Sequence, residues 1–158
     1  MACTALVLTL GCARKQVTDR DRKEAAHLVS EAQFAMTIRE WARAEGLLLK
    51  AVQVAPTGDY WLSLGAARLR LNNRKGAKEA YQSALKEFEK ESARNNLSSE
   101  PWIKKIYVLA LLGRHDDSRA LAAKATKLFP NDVNVRAFTD PGEYERMVSS
   151  PKFKDMAL

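Results

Sequence analysis

The sequence predicts an all-α protein built as a stack of helix pairs, and three observations lead to that fold class. Of the 158 residues, 46% are hydrophobic and 28% are charged, a balance typical of a folded globular chain. Ala, Leu, Lys, Glu and Arg dominate and favour helix, whereas Pro and Gly together number 12, too few for a loop-rich β protein. Small and aromatic residues also recur at matched positions in three successive segments of the chain.

The first twelve residues, MACTALVLTLGC, are apolar over residues 5–10 and end in Gly11-Cys12. The run is too short to span a bilayer as a helix, but an apolar run followed by a small residue is the pattern of a secretory signal. Gly11-Cys12 resembles the bacterial lipobox, although Thr9-Leu10 departs from its usual order and no Lys or Arg precedes the run. The resemblance implies lipidation of Cys12. An ordinary cleaved signal, or an apolar start on a cytoplasmic protein, stays open.

Residues 13–18 are then a polar tether between the lipid anchor and the folded body. Ala13 stands where an Asp would be the inner-membrane retention signal of enteric bacteria, so the resemblance implies the periplasmic face of the outer membrane. Cys3 and Cys12 are the only cysteines, so no disulfide or cysteine-based metal site can hold the body together. A cytoplasmic location is the expectation if the signal interpretation is wrong.

The first three helices are bounded by capping and breaking residues. Thr18 or Asp19 is expected to cap a first helix that ends at Thr37. A second helix is predicted over residues 40–54, because it must stop before Pro56. The third covers residues 59–71 and ends at the Asn pair at 72 and 73.

The next three helices include one of unusual length. The fourth starts near Arg74, and its apolar face continues past the normal end of a repeat through Phe88 and Ser92. Ser98 or Ser99 is expected to cap the fifth, with Pro101 in its first turn and Gly113 at its end. The sixth is predicted over residues 116–129, capped by Asp116 and stopped by Pro130.

Three segments of the chain repeat the same set of positions at constant intervals. The interval from Leu28 to Trp61 recurs at every matched position of the first two segments, and the interval from Trp61 to Trp102 recurs between the second and third. A unit of this length is one helix pair, which buries its apolar face only by stacking on neighbouring units. The matched sets are Leu28, Trp61 and Trp102; Ala32, Gly65 and Ile106; Ala44, Ala77 and Ser118; Ala51, Ala84 and Ala125; and Pro56, Glu89 and Pro130.

The middle segment resembles the tetratricopeptide repeat (TPR). It reads Trp61-x2-Leu64-Gly65, then Ala77-x3-Tyr81, then Ala84, while Arg68 and Glu89 depart from the usual Tyr and Pro. The resemblance covers residues 25–131 and implies a right-handed superhelical stack of three helix-turn-helix pairs over residues 19–131. Small residues are needed where helices approach most closely, because the distance between helix axes follows side-chain bulk. Trp61 and the other aromatics of the motif are accordingly expected in the core.

The last segment, residues 132–158, is predicted to cap the array. Its Asp140-Pro141 and Pro151-Lys152-Phe153 resemble the short closing segment that follows many bacterial TPR arrays. Short helices are expected over residues 142–149 and 151–156. The apolar residues that would cover the last repeat are Tyr144, Met147, Val148, Phe153 and Met156.

No cluster of residues in the sequence predicts catalysis. His27 and His115 lie in different repeats without partners at metal-ligand spacing, and there is no glycine-rich phosphate loop. We therefore expect no enzyme activity, no metal and no cofactor. The net charge of +7 is spread along the chain and mostly interleaved with acids, which argues against a nucleic-acid partner.

The resemblance implies a protein-interaction module whose first helices line a concave groove for a partner segment. The polar and cationic groove would suit an acidic extended segment, and a lipidated form would be a periplasmic scaffold or assembly factor. The alternative is a self-associating structural subunit of an envelope complex, such as a homodimer, supported by Phe88 in the long fourth helix. The residues predicted to line the groove are Gln33, Thr37, Ser63, Arg70, Lys104 and Tyr107.

Overall fold

The computed structural model describes residues 16–158, so the predictions for residues 1–12, including lipidation of Cys12, lie outside the described residues. Within residues 16–158 the chain forms helices and no strand. In chain order the helices are α1 (Asp19–Thr37), α2 (Trp41–Val54), α3 (Gly58–Arg70), α4 (Arg74–Arg94), α5 (Glu100–Leu111), α6 (His115–Leu128), α7 (Val133–Ala137), α8 (Pro141–Ser149) and α9 (Pro151–Lys154).

The first six helices form three hairpins that stack in chain order. Three-residue turns at 38–40, 71–73 and 112–114 join the two helices of each hairpin. Every helix from α1 to α5 packs on the next one, so the second helix of each hairpin also contacts the first helix of the following hairpin. The prediction of an all-α stack of helix pairs is confirmed.

The intervals found in the sequence also hold for the backbone of the three turns. Arg39, Asn72 and Gly113 all adopt the left-handed region, with φ of 62°, 59° and 71°, and the same two intervals separate them along the chain. In each turn the following residue donates its amide to the carbonyl five residues earlier, at 2.8–2.9 Å. The turn is therefore a repeated structural unit even though only one of its three left-handed residues is glycine.

This repeated turn corrects the predicted start of the sixth helix. The helix begins at His115, and Arg114 is its N-cap residue, at the position held by Glu40 and Asn73 in the earlier turns. Asp116 lies in the first turn, exposed, with its carboxylate 3.7 Å from Arg119. The prediction that Asp116 caps α6 was wrong because the three-residue turn places the cap two residues earlier.

Other helix starts follow the expected chemistry. Thr18 caps α1: its hydroxyl accepts from the amide of Asp21 at 3.2 Å, and the Asp21 carboxylate accepts from the Thr18 amide at 2.9 Å. Ser99 is the N-cap residue of α5, with Pro101 in the first turn. Its hydroxyl donates to the carboxylate of Asp132, the N-cap residue of α7, and so joins the two helix starts.

Two glycines set the distance between α3 and α4. A Cβ on Gly65 would lie 2.3 Å from the ring of Tyr81, and one on Gly58 would lie 2.2 Å from the ring of Phe88. Both rings are fully buried. The extra turns of α4 thus place Phe88 against the start of α3. Its side chain is buried within the molecule and is not available to contact a second copy.

The C-terminal residues first cover the last hairpin and then cross its face. Val135 of α7, a helix that the sequence analysis did not predict, is buried between α5 and α6. Tyr144 of α8 follows, with its hydroxyl 3.0 Å from His115 Nδ1. Residues 150–158, which we call the C-terminal tail, then lie across α3 and α5, with Phe153 buried.

No helix in the part of the chain from residue 16 onward is both long and apolar enough to cross a bilayer.

Candidate partner-binding groove

The face shared by α3 and α5 contains three of the predicted partner-binding residues and holds the C-terminal tail. We call this face the α3–α5 groove. Its apolar part belongs to a buried cluster that also takes in Phe153, Met156 and Leu158 of the tail. The residues of α3 and α5 that define it are Leu62, Leu69, Arg70, Lys104, Tyr107 and Leu111.

Arg70 binds the tail through charge. Its guanidinium lies 2.7 Å from the Asp155 carboxylate, and both side chains remain about half exposed. The same guanidinium lies over the ring of Trp41, 5.6 Å from the centroid, which orients it from the α2 side. The predicted cationic site is therefore already paired with a carboxylate from the same chain.

Tyr107 binds the tail through its ring. The rings of Tyr107 and Phe153 meet edge to face at 5.5 Å and 86°, a favoured geometry for aromatic pairs. Burial raises the pKa of the Tyr107 hydroxyl, so this residue, which is neutral at physiological pH in any case, stays protonated further into the alkaline range. This contact is the aromatic anchor of the tail.

Two contacts hold the backbone of the tail. The Tyr81 hydroxyl donates to the Met156 carbonyl at 2.7 Å, and the Leu158 amide donates to the Leu111 carbonyl at 2.9 Å. Leu111 is the last residue of α5, so its carbonyl has no partner within the helix. These two bonds recognise main-chain atoms and do not depend on side-chain identity.

Lys104 links α5 to α3 and does not contact the tail through an ion pair. Its ammonium lies 2.8 Å from Asp59 and 2.9 Å from Glu100. Burial lowers the pKa of Lys104, but its hydrogen bonds to the two carboxylates outweigh that effect and raise the pKa. Most of its charge is therefore balanced within the chain.

The other predicted groove residues lie apart from the tail. Gln33 and Thr37 are exposed on α1, where the Thr37 hydroxyl donates to the Gln33 carbonyl at 3.0 Å. Ser63 is partly exposed on α3 and donates to the Asp59 carbonyl at 3.0 Å. The structure thus brings Arg70 and Tyr107 together on the tail, whereas Gln33 and Thr37 of α1 and Ser63 of α3 lie outside that contact.

The tail contacts were missed in the sequence analysis. Phe153 and Met156 were expected to cover the last repeat, but the contact of the tail with α3 through Asp155 and Arg70 was not predicted. Asp155 belongs to no motif, and the motif position of Tyr81 predicted only that its ring lies in the core, so neither was identified as a contact for the tail. The alternation of buried Phe153 with exposed Lys152 and Lys154 is the local signal that one side of this segment faces protein.

The two histidines have roles on the surface and in packing. His27 lies 2.9 Å from the carboxylate of Glu31, one turn later on α1, and both side chains are at least partly exposed. His115 packs edge to face on Tyr144, with ring centroids 6.2 Å apart. Among residues 16–158, no group of three His, Cys, Asp or Glu side chains is placed to hold a metal ion.

Lys105 is a buried cation on the opposite side of α5. Its ammonium donates to the Ser92 hydroxyl at 2.9 Å and lies 4.0 Å from the centroid of the Trp102 ring. Burial lowers the pKa of Lys105 and nearby Lys124 lowers it further, against an opposite effect of Glu89. Of the two adjacent lysines of α5, Lys105 is thus buried and Lys104 is ion-paired.

The described residues define a protein of stacked helical hairpins whose α3–α5 groove holds a segment of its own chain. No family model matches the sequence, and no curated protein matches it. Among solved structures, the TPR domain of Arabidopsis OM64 is similar, with 14% sequence identity over 75% of this chain and 93% of that chain and a TM-score of 0.46. The function proposed below therefore rests on the geometry of the groove itself.

Proposed function

We propose that this protein is a non-catalytic interaction module that binds a segment of a partner protein across α1, α3 and α5. One observation carries the proposal. The α3–α5 groove already holds a peptide segment, with an aromatic site at Tyr107, a cationic site at Arg70 and hydrogen bonds to its main chain. A surface that binds one short segment in this way has the features that a partner segment requires.

The charge of the groove favours a partner segment with few carboxylates. Arg70 remains about half exposed and pairs with one carboxylate, whereas Lys104 is already balanced by Asp59 and Glu100. The acidic segment expected from the sequence therefore needs only one carboxylate, which pairs with Arg70. Gln33 and Thr37 extend the surface on α1 with neutral polar groups.

Capture of partners with variants of the α1 surface tests this function. We expect the full-length chain to retain a specific protein after mild cross-linking in its own cells, and the double variant Gln33→Ala/Thr37→Ala to retain several-fold less. Lys50→Ala, at an exposed position on α2, is the matched control and should capture as much as the wild type. Equal capture by all three proteins, or none above background, contradicts the proposal.

We further propose that the module is anchored by lipid on Cys12, on the periplasmic side of the cell envelope and at the outer membrane, as a scaffold or assembly factor. The support is the apolar run and Gly11-Cys12 in the sequence. Palmitate labelling of the wild type and of Cys12→Ser is the test. Label on the wild type alone is expected, and equal labelling of both proteins contradicts the anchor.

Self-association is the second candidate, and two exposed apolar side chains on α1 favour it. Phe34 and Ile38 of α1 are 61% and 46% exposed, on a hairpin that has no described neighbour before it. A dimer formed by two such ends would bury both residues. Light scattering should then show a dimer that Phe34→Glu converts to a monomer, while a monomeric wild type at all concentrations excludes this candidate.

A further inference from the structure

We propose that the C-terminal tail is a stand-in for the partner, and that the α3–α5 groove binds partner segments with the same pattern: an aromatic residue, a carboxylate two residues later, and apolar residues one and three positions beyond it. The tail supplies this pattern through Phe153, Asp155, Met156 and Leu158. The inference rests on the proposed function, because it names the class of segment that the groove accepts.

Some residues of the tail face the groove, and the residues between them face solvent. Phe153 is 3% exposed and Met156 and Leu158 are partly buried, whereas Lys152 and Lys154 are exposed. The two lysines therefore contribute little to recognition. A partner segment has to match the facing positions and is free to differ at the exposed ones.

The groove binds the main chain of the tail as well as its side chains. The Tyr81 hydroxyl and the Leu111 carbonyl bind the carbonyl and amide of residues two apart in the tail. Any segment with the same backbone path can form both bonds, so this part of the site is indifferent to sequence. Selectivity then comes from the ring on Tyr107 and the carboxylate on Arg70.

The tail is held by few contacts, which makes exchange with a partner feasible. Its helix α9 has four residues and one buried ring, and the ion pair of the tail is about half exposed. Such short segments open locally without unfolding the rest of the protein. Because the tail is tethered beside its site at an effective concentration on the order of millimolar, it competes with free segments until it is weakened.

A peptide titration on the full-length chain tests the inference. The probe is a fluorescent, C-terminally amidated peptide SPKFKDMAL, and the weakened chain carries Phe153→Ala/Asp155→Ala. We expect the weakened chain to bind the probe about tenfold or more tightly than the wild type, because its groove is open for a larger fraction of the time. A peptide with alanine in place of its Phe and Asp is the matched control and should not bind. Equal affinity of both chains for the probe overturns the inference.

Hydrogen exchange separates an exchangeable stand-in from a permanent structural cap. In the wild type, we expect the amides of residues 152–158 to exchange at least about tenfold faster than those in the middle of α5. Excess probe should accelerate exchange of the tail and leave α5 protected. Exchange of the tail and α5 at one common rate overturns the inference. It would leave partner capture through Gln33 and Thr37 untouched, so the two proposals fail by different results.

Discussion

Tyr81 of α4 contacts both α3 and the C-terminal tail, but the α3–α4 hairpin and the tail are held in place by different kinds of interaction. In the hairpin, the Tyr81 ring is fully buried on Gly65, with no room for a methyl group between them. In the tail, the Tyr81 hydroxyl makes one hydrogen bond to a main-chain carbonyl, beside a second main-chain hydrogen bond, one aromatic contact, two partly buried apolar side chains and an ion pair that is about half exposed. The hairpin depends on shape, whereas the tail depends on a few replaceable interactions.

This difference separates the part of the molecule that maintains the fold from the part suited to exchange. Close packing makes the free energy of unfolding sensitive to a single added atom. A segment held by a ring, an ion pair and two hydrogen bonds can leave at a cost of a few such interactions. Each of the following substitutions affects the α3–α4 hairpin, the C-terminal tail, or Tyr81, which contacts both.

The largest effect is expected from Gly65→Ala. The added methyl group meets the fully buried Tyr81 ring at 2.3 Å, so α3 and α4 must move apart, at a cost of about 3 kcal/mol in the free energy of unfolding. Gly46→Ala is the control, because nothing lies within 4 Å of its added Cβ on α2. It should gain roughly 0.5–1 kcal/mol from helix propensity. Urea denaturation followed by circular dichroism measures both, and equal effects would refute the close approach.

Phe153→Ala should have a smaller and more local effect. Loss of the buried ring removes about 2 kcal/mol of the free energy that holds the tail. Amides of the tail should lose protection from hydrogen exchange while those of α3 and α4 keep it. Lys152→Ala, next to it but exposed, is expected to change stability by less than about 0.5 kcal/mol. Loss of protection throughout α3 and α4 would show that the tail and hairpin form one unit.

Tyr81→Phe tests the residue that joins the two regions. The ring stays and the hydrogen bond to Met156 is lost, which costs about 1 kcal/mol at pH 7. Burial raises the pKa of Tyr81, with a further contribution from Tyr107, so the folded chain keeps a proton that the unfolded chain loses near pH 10. The wild type should therefore lose stability as pH rises above 10, and the variant should lose less. Parallel pH profiles for the two proteins would contradict this assignment.

Asp155→Asn is expected to have the smallest effect. The ion pair with Arg70 is about half exposed, so its loss should cost roughly 0.2–1 kcal/mol. Because salt screens exposed charges, the difference between variant and wild type should shrink between low and high ionic strength. Thermal unfolding in both buffers measures it. A difference that does not depend on salt would assign the role of Asp155 to packing.

The sequence was sufficient for the stacked hairpins, because their evidence is local and repeated. Small residues such as Gly65 and Ala77 mark the helix contacts, and the two constant intervals between segments place all three hairpins in register. The start of α6 was missed because the acidic residue at 116 was weighed by cap preference alone, without the repeated turn. The five-residue helix α7 was too short to show a period.

The groove was harder to predict than the hairpins, and the reason is physical. Arg70 and Asp155 are 85 residues apart in sequence, and their contact depends on which face the tail crosses. The closing-segment pattern predicted that Tyr144 and Phe153 cover the last repeat, but it does not encode which helices the tail crosses. The residues proposed for the partner surface, including Gln33, Thr37 and Ser63, stay predictions.

The exposure of Phe34 on the first hairpin, within the part of the chain that the structure describes, has a consequence for engineering. Phe34 holds in the first hairpin the repeat position that Ala67 holds in the second. Ala67 is fully buried against the preceding hairpin, whereas Phe34 is mostly in solvent. A designed helix pair fused ahead of α1 would find there a ready docking surface with a known register. The array is thus open to lengthening from one side, and the recognition surface could be enlarged turn by turn without disturbing the residues that bind the tail.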